Sequence, residues 1–272
     1  MSWLDGCAHA REQRTPGVLI TQVSVRGHAP RDAGAKMFVT ADRVYGTIGG
    51  GNLEQTSVTR ARELLEAGST EPELTPYRLN DKVRTEHGRQ CCGGEVTVLL
   101  EPLPVPPAVA VFGLGHVGLE LARILARRDL DLYLTDSRPE QLQRLDLLEP
   151  SEARIDTALS MLPEQRLAAL PTGCQVVIMT HDHAEDYALC DAALRKVGLG
   201  PVGMIGSVTK WQNFRRRLID AGHDPAAVDQ IACPIGLPDL PGKDPLTIAV
   251  AIAAVVLMPA RRVAPRDPVP RP

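Results

Sequence analysis

The residues with the clearest chemical meaning form one short segment, Gly113-Leu114-Gly115-His116-Val117-Gly118. Its three glycines have separate physical jobs. Gly113 permits a tight turn, Gly115 lets the backbone approach a phosphate, and Gly118 lets a helix pack closely on a sheet. The segment follows the apolar run Val109–Phe112 and leads into a helix-forming run, Val117–Arg127. A helix begun in this way presents free N–H groups and the positive end of its dipole to an anion. Asp136 ends the next apolar run, about 20 residues on, where a dinucleotide fingerprint places its acid. Such an acid accepts hydrogen bonds from a ribose or, equally, from the amino and ring N–H donors of a pterin, and it repels a 2′-phosphate. His116 lies inside the turn, where it faces either the ligand or solvent. The bland alternative is a glycine turn that binds nothing; the strand before it, the helix after it and the acid beyond argue against that reading.

Ligands of parallel sheets bind at the carboxyl ends of the strands. Two further strand ends are visible, Thr180-His181-Asp182-His183 and Gly206-Ser207. On a continuing strand His181 and His183 would point to opposite sides, which argues against a two-histidine metal site and for one histidine as a proton donor or pocket wall. Gly206-Ser207 precedes a helix and forms a second candidate turn for an anion. Lys210, Arg215, Arg216 and Arg217 follow, and most of them read as an ordinary solvated helix face.

The first half of the chain carries two more candidates. Gly49-Gly50-Gly51-Asn52 lies between a strand and a helix, and three glycines free the backbone to bend N–H groups around an oxyanion, with Arg31 and Lys36 as sources of positive charge. A flexible turn is an equal alternative. Cys91-Cys92-Gly93-Gly94 places two thiols before a strand. Adjacent cysteines are strained as a mutual disulfide, so two free thiols are expected. A thiolate there would bind a soft metal or accept sulfur; buried inert cysteine is the commoner fate.

The elements needed to position these residues can be read from periodicity. Glu101-Pro-Leu-Pro-Val-Pro-Pro107 is a stiff connector, because proline continues neither a helix nor a central strand. It divides the chain into an N-terminal α+β domain, residues 1–101, and a Rossmann-type α/β domain, residues 108–260, with residues 102–107 as linker and a Pro- and Arg-rich tail, 261–272, expected to be disordered. In the first domain strands are expected at Gly17–Val25, Lys36–Thr40, Arg43–Ile48 and Glu95–Leu100, with a helix at Leu53–Glu66. In the second, strands at Val109–Phe112, Leu130–Thr135, Gln175–Thr180 and Pro201–Ile205 alternate with helices at Val117–Arg127, Ala184–Val197, Val208–Ala221 and Leu246–Met258. That alternation implies βαβ units and a parallel sheet with helices on both faces.

Composition narrows the function classes. A formal charge of -3 and a pI near 6.2 give no reason to expect nucleic acid or an anionic membrane as partner. The apolar run Leu246–Met258 is too short to span a bilayer, and the polar stretch Met1–Arg14 does not read as a signal peptide. A cytoplasmic protein with free thiols is the expectation.

Several of these motifs, in this order, resemble one family. Ala29-Pro-Arg-Asp-Ala-Gly-Ala-Lys-Met37, Gly46-Thr-Ile-Gly-Gly-Gly-Asn-Leu-Glu54, Gln90-Cys-Cys-Gly-Gly94, Gly113–Gly118, Gly203-Met-Ile-Gly-Ser207 and Cys233-Pro-Ile-Gly236 are similar to the XdhC/CoxI family, and most of all to its xanthine dehydrogenase accessory branch. The resemblance runs from about Gly17 to Met258. It implies a chaperone, not an enzyme. Such a protein binds molybdenum cofactor (molybdopterin), supports its sulfuration by a cysteine desulfurase and inserts it into the molybdenum subunit of apo-xanthine dehydrogenase; it also allows a homo-oligomer. One departure is Asn52, where many relatives carry Cys in a GGGCLE pattern, so no thiol role transfers to that position. On this reading Gly113, Gly115, His116 and Gly118 hold the phosphate, Asp136 holds pterin donors, Gly49, Gly50, Gly51, Gly206 and Ser207 supply further anion contacts, and Cys91 or Cys92 approaches the molybdenum or the incoming sulfur. The rival from another class is an NAD-dependent oxidoreductase that uses the same Rossmann turn, with His181 or His183 as proton relay.

Overall fold

The computed structural model describes residues 1–79, 94–147, 151–238, 240 and 242–258. The chain forms two compact units that divide between Val105 and Pro106.

The first unit opens with α1 (Trp3–Glu12). Ser2 and Asp5 close its N-terminus as a capping box: the Asp5 N–H donates to Ser2 Oγ at 3.2 Å and the Ser2 N–H to Asp5 Oδ2 at 2.9 Å. Then follow β1 (Gly17–Arg26), β2 (Lys36–Val39), β3 (Val44–Gly46), α2 (Gly51–Glu66), β4 (Glu73–Arg78) and β5 (Glu95–Leu103). The five strands make one antiparallel sheet in the order β3-β2-β1-β5-β4. One face, with Val18, Ile20, Met37, Val96, Val98 and Leu100, packs on Leu53, Val58 and Ala61 of α2. On the opposite side Phe38 and Tyr45 pack against Ala10 and Trp3 of α1.

The second unit contains β6 (Ala108–Phe112), α3 (His116–Leu125), β7 (Asp131–Asp136), α4 (Pro139–Gln143), a single 3-10 turn (Arg144–Leu147), β8 (Arg154–Leu159), α5 (Pro163–Ala168), β9 (Gln175–Ile178), α6 (His183–Arg195), β10 (Val202–Met204), α7 (Val208–Asp220), α8 (Pro225–Val228) and α9 (Pro245–Leu257). Its strands form a five-stranded parallel sheet in the order β10-β9-β6-β7-β8. β6 is buried along its whole length, as a central parallel strand must be. Its alternate residues serve two cores: Ala108, Ala110 and Phe112 face a cluster shared with α5, α6 and α7, whereas Val109 and Val111 face one shared with α3 and α9. This is the expected Rossmann-type α/β architecture, next in the chain to an α+β unit.

The chain steps outward from β6 through β7 to β8, then returns to the other side of β6 as β9 and β10. The order therefore reverses between β6 and β9, and in sheets of this kind the carboxyl ends of two such strands are where a ligand crevice lies. Beyond β10, the segment at Ala232 runs parallel to Gly203. The Met204 N–H donates to Ala232 O at 2.9 Å and the Ile235 N–H to Met204 O at 3.0 Å. Cys233 is thereby carried to the carboxyl edge as well.

Seven elements are additional to the expected set: α1, β4, α4, the 3-10 turn, β8, α5 and α8. α1 is short and mostly polar, so its apolar period is weak. β4 contains Pro76 and β8 exposes Arg154, Asp156, Thr157 and Leu159; both are sheet edges, where proline and polar residues are tolerated and the burial pattern fades. The strand expected to run to Thr180 stops at Ile178. Among the described residues, no helix is long and apolar enough to cross a membrane.

Candidate functional site: the switch-point crevice

The glycine turn is built from the chain's own close approaches. Gly113 has φ +101°, and a Cβ there would stand 2.2 Å from the Met179 carbonyl oxygen. A Cβ on Gly118 would stand 2.0 Å from the Gly113 oxygen. Both positions need glycine for packing alone. Gly115 differs: its φ is -62°, and a Cβ there would meet nothing within 4 Å. The space in front of it is open. α3 begins at the next residue with no side-chain cap and no acid in its first turn, so its leading amides and dipole end face that space uncompensated. His116 is exposed.

Asp136 is fully engaged. Its carboxylate, 2% exposed, accepts from the Leu114 N–H at 2.6 Å and from Arg138 through its backbone N–H, Nε and Nη2, each at 2.9 Å. Burial pushes this acid up, but the Arg138 guanidinium and the two amides outweigh it and hold the pKa below its ordinary value. Four donors occupy the acceptor sites of one carboxylate. Asp136 therefore ties the glycine turn to the end of β7, and a ribose or pterin donor would have to displace Arg138 to reach it. Its charge is compensated, which removes the argument that it repels a 2′-phosphate.

On the other side of the crevice the structure brings the candidate Gly206 together with Thr180, Asp186, Lys210 and Cys233, to which the sequence reading gives no contact with a ligand. Thr180 touches the glycine turn, 2.7 Å from where a Gly113 Cβ would be. Its N–H and hydroxyl donate to Asp186 Oδ1 at 3.0 and 2.8 Å. Lys210 Nζ donates to Asp186 Oδ2 at 2.5 Å, with side-chain exposures of 14% for the lysine and 2% for the acid. Gly206 lies between the Lys210 stem and Cys233: a Cβ there would stand 3.3 Å from Lys210 Cδ and 3.2 Å from Cys233 Sγ. Burial pushes the Cys233 thiol up to about 11 against the opposing pull of Lys210. Burial, with Asp186 and Cys233 nearby, pushes Cys190 up to about 12. The expectation that Lys210 belongs to a solvated face is thus corrected. A signal was present, since Lys210 falls on the same helical face as Phe214 and Leu218, both buried, and Asp186 on the face of Leu189, Cys190 and Ala193.

The remaining candidates are placed as follows. Ser207 caps α7, its hydroxyl accepting from the Lys210 N–H at 3.1 Å. His181 is exposed, with Nδ1 3.9 Å from Glu185, and His183 starts α6 rather than continuing a strand. In the first unit the glycine triplet is folded around an acid of its own: Glu54 Oε2 accepts from the Thr47 hydroxyl and from the Ile48 and Gly50 N–H groups at 3.2 and 3.1 Å. The Gly49 N–H donates to Thr47 Oγ1 at 3.1 Å. The amides that an external oxyanion would need at Gly49 and Gly50 are taken. Lys36 Nζ donates to Thr21 at 2.7 Å, and Arg31 is exposed. Cys91 and Cys92 lie outside the described residues. Gly94, which ends their segment, packs where a Cβ would stand 2.3 Å from the His28 oxygen. Among the described residues, no group of three His, Cys, Asp or Glu side chains is arranged to hold a metal.

Comparison with known proteins agrees with this arrangement of motifs. A family model described as the XdhC Rossmann domain matches residues 109–256, and a second, described as the XdhC and CoxI family, matches residues 10–77. The chain is 27% identical over 251 residues to the uncharacterized protein YqeB of Escherichia coli (strain K12). That match covers 92% of this chain and 44% of the relative, so the chain spans less than half the length of that protein. A solved structure described as a xanthine dehydrogenase from Bacillus halodurans has a TM-score of 0.45 and 20% identity, covering 94% of this chain and 95% of that one. The Rossmann match alone takes in more than half of the chain, and the N-terminal match precedes it in the order the motifs require, so the chain belongs to the XdhC and CoxI family.

Proposed function

We propose that the protein is a molybdenum-cofactor-binding chaperone that stabilises molybdopterin, supports its sulfuration by a cysteine desulfurase and delivers it to apo-xanthine dehydrogenase, without catalysing a reaction of its own. The observation that carries the reading is the uncapped start of α3 behind open space at Gly115, set at the switch point of the sheet. A phosphate monoester suits that place: the amides of the turn donate to it and the helix dipole favours its charge. Gly115 admits the ligand, Gly113 and Gly118 shape the turn, and Asp136 with Arg138 fixes the turn's position. In the finished dehydrogenase the molybdenum supplies the redox and oxygen-transfer chemistry; here the residues need only bind, orient and shield. Family membership supports the assignment of substrate and partner.

The test is retention. Purified protein is incubated with molybdenum cofactor released from a molybdoenzyme, or with NADH, and passed through gel filtration. Co-elution of the pterin, and activation of apo-xanthine dehydrogenase by the loaded protein together with a cysteine desulfurase, is expected. Tight retention of NADH with none of the pterin would overturn the proposal in favour of an NAD-dependent oxidoreductase.

A further inference from the structure

Nothing in the glycine turn uses the Lys210–Asp186 pair, yet both of its side chains are nearly removed from water. A pair so removed from water seldom offsets its own desolvation as a stabilising contact, and charged groups buried in a cleft are candidates for function. Its position adds to that argument. Thr180 links Asp186 to the glycine turn; Asp186 steers the Lys210 ammonium; and the lysine stem and Cys233 Sγ flank the bare α-carbon of Gly206. The ammonium has three N–H donors. Among the described residues its hydrogen bond goes to Asp186, and it lies over the Phe214 ring, with the centroid 5.3 Å away. It therefore keeps donors for a ligand. Cys233 is half-buried and, with its thiol pushed up to about 11, is an S–H donor at neutral pH rather than a competing anion. Cys190 is fully buried beside Met204 Sδ at 3.8 Å and serves packing.

We infer that Lys210 and Cys233 form a second subsite of the crevice, which receives the anionic, sulfur-rich dithiolene end of the cofactor whose phosphate lies at the glycine turn. The inference rests on the cofactor reading above and deepens it. Asp186 is the positioning residue: it holds the lysine in place and touches no ligand. A neutral thiol and a lysine on either side of a bare glycine suit a delocalised sulfur anion, which accepts hydrogen bonds from both.

The experiment uses the full-length protein and released molybdenum cofactor as the probe. Thiols are labelled with N-ethylmaleimide with and without cofactor, and the sites are mapped by peptide mass spectrometry. Protection of Cys233 by the cofactor is expected. In parallel, the double variant Lys210→Met/Asp186→Asn removes both charges, so that no lone charge is left buried. Its retention of cofactor should fall roughly tenfold to a hundredfold, the loss of a charge-assisted hydrogen bond, with thermal unfolding close to the parent's. Gly115→Val serves as the control for the turn. Cofactor retained by the parent and lost by Gly115→Val, with Cys233 labelled equally fast in both conditions and the double variant binding like the parent, would sink the second subsite and leave the turn standing. A parent protein that retains no cofactor would sink both. Should the double variant fail to fold, the labelling result on the parent decides.

Discussion

At the scale of single residues, the three glycines of the turn separate into two kinds. From the sequence alone, the turn falls to Gly113, the approach to a phosphate to Gly115 and the helix contact to Gly118. The structure divides them by what a methyl group would strike. Gly118→Ala would drive a Cβ against the Gly113 oxygen, and a forced backbone shift of this kind costs about 1–3 kcal/mol or more. Gly115→Ala meets open space at an ordinary φ and should cost no more than about 1 kcal/mol, the N-cap preference of Gly over Ala. Thermal melts and cofactor retention, measured together, check the pair: Gly118→Ala loses stability, whereas Gly115→Ala keeps the melt and weakens binding. Equal melts for the two would contradict the division. Asp136 was legible as an acid at the strand end, but its partner was not, because Arg138 is one of many arginines and only the fold shows that it turns back. Asp136→Ala leaves a buried amide and a guanidinium without their acceptor, a loss of about 1–3 kcal/mol at neutral pH. The acid's pKa is depressed in the folded state, so its contribution is present above its ordinary value of 3.8 and fades as pH falls through the lower folded value. Urea midpoints of parent and variant should therefore converge on acidification below 3.8; a gap that widens there would contradict the linkage.

At the scale of elements, what was readable depended on burial. The central strands of the second unit are short continuous apolar runs, and they and its long helices stand close to where the sequence puts them. β4 and β8 do not, because an edge strand keeps one side in solvent and its sequence resembles a loop. The same logic explains why the wall of the crevice was missed. Lys210 and Asp186 are charged residues at interior positions of otherwise apolar helix faces, and residue type drew attention away from position. The start of α2 makes the complementary point. Three glycines between a strand and a helix read as an anion site, and an anion is indeed there, but it belongs to Glu54 three positions into the helix. That carboxylate accepts from the N–H of Gly50, the residue that leads into the helix, and from that of Ile48 in the turn before it, and it places a negative charge at the positive end of the helix dipole. Glu54→Ala should lower the stability of the first unit by about 1–2 kcal/mol, read as a shift of the urea midpoint with an unchanged slope. No shift would mean that the turn holds its shape without the acid.

At the scale of the whole molecule, the hydrophobic clusters fall within one unit or the other. Those built on the antiparallel sheet draw on residues up to Leu100, and those built on the parallel sheet begin at Ala108. The boundary between Val105 and Pro106 lies in the proline-rich connector, whose prolines have no backbone N–H to donate. A unit with its own core can in principle fold without its neighbour. All residues proposed here to touch the cofactor's phosphate and dithiolene, Gly113 to Gly118 and Lys210 with Cys233, belong to the second unit. A fragment spanning residues 106–272 should therefore unfold in a single cooperative transition and retain molybdenum cofactor with an affinity close to that of the full chain. Circular dichroism melts and gel-filtration retention provide the two readouts. A fragment that melts cooperatively yet releases the cofactor would assign an essential contact to the first unit. Attention would then shift to the segment that carries Cys91 and Cys92, and the division of labour argued from the cores would have to be redrawn.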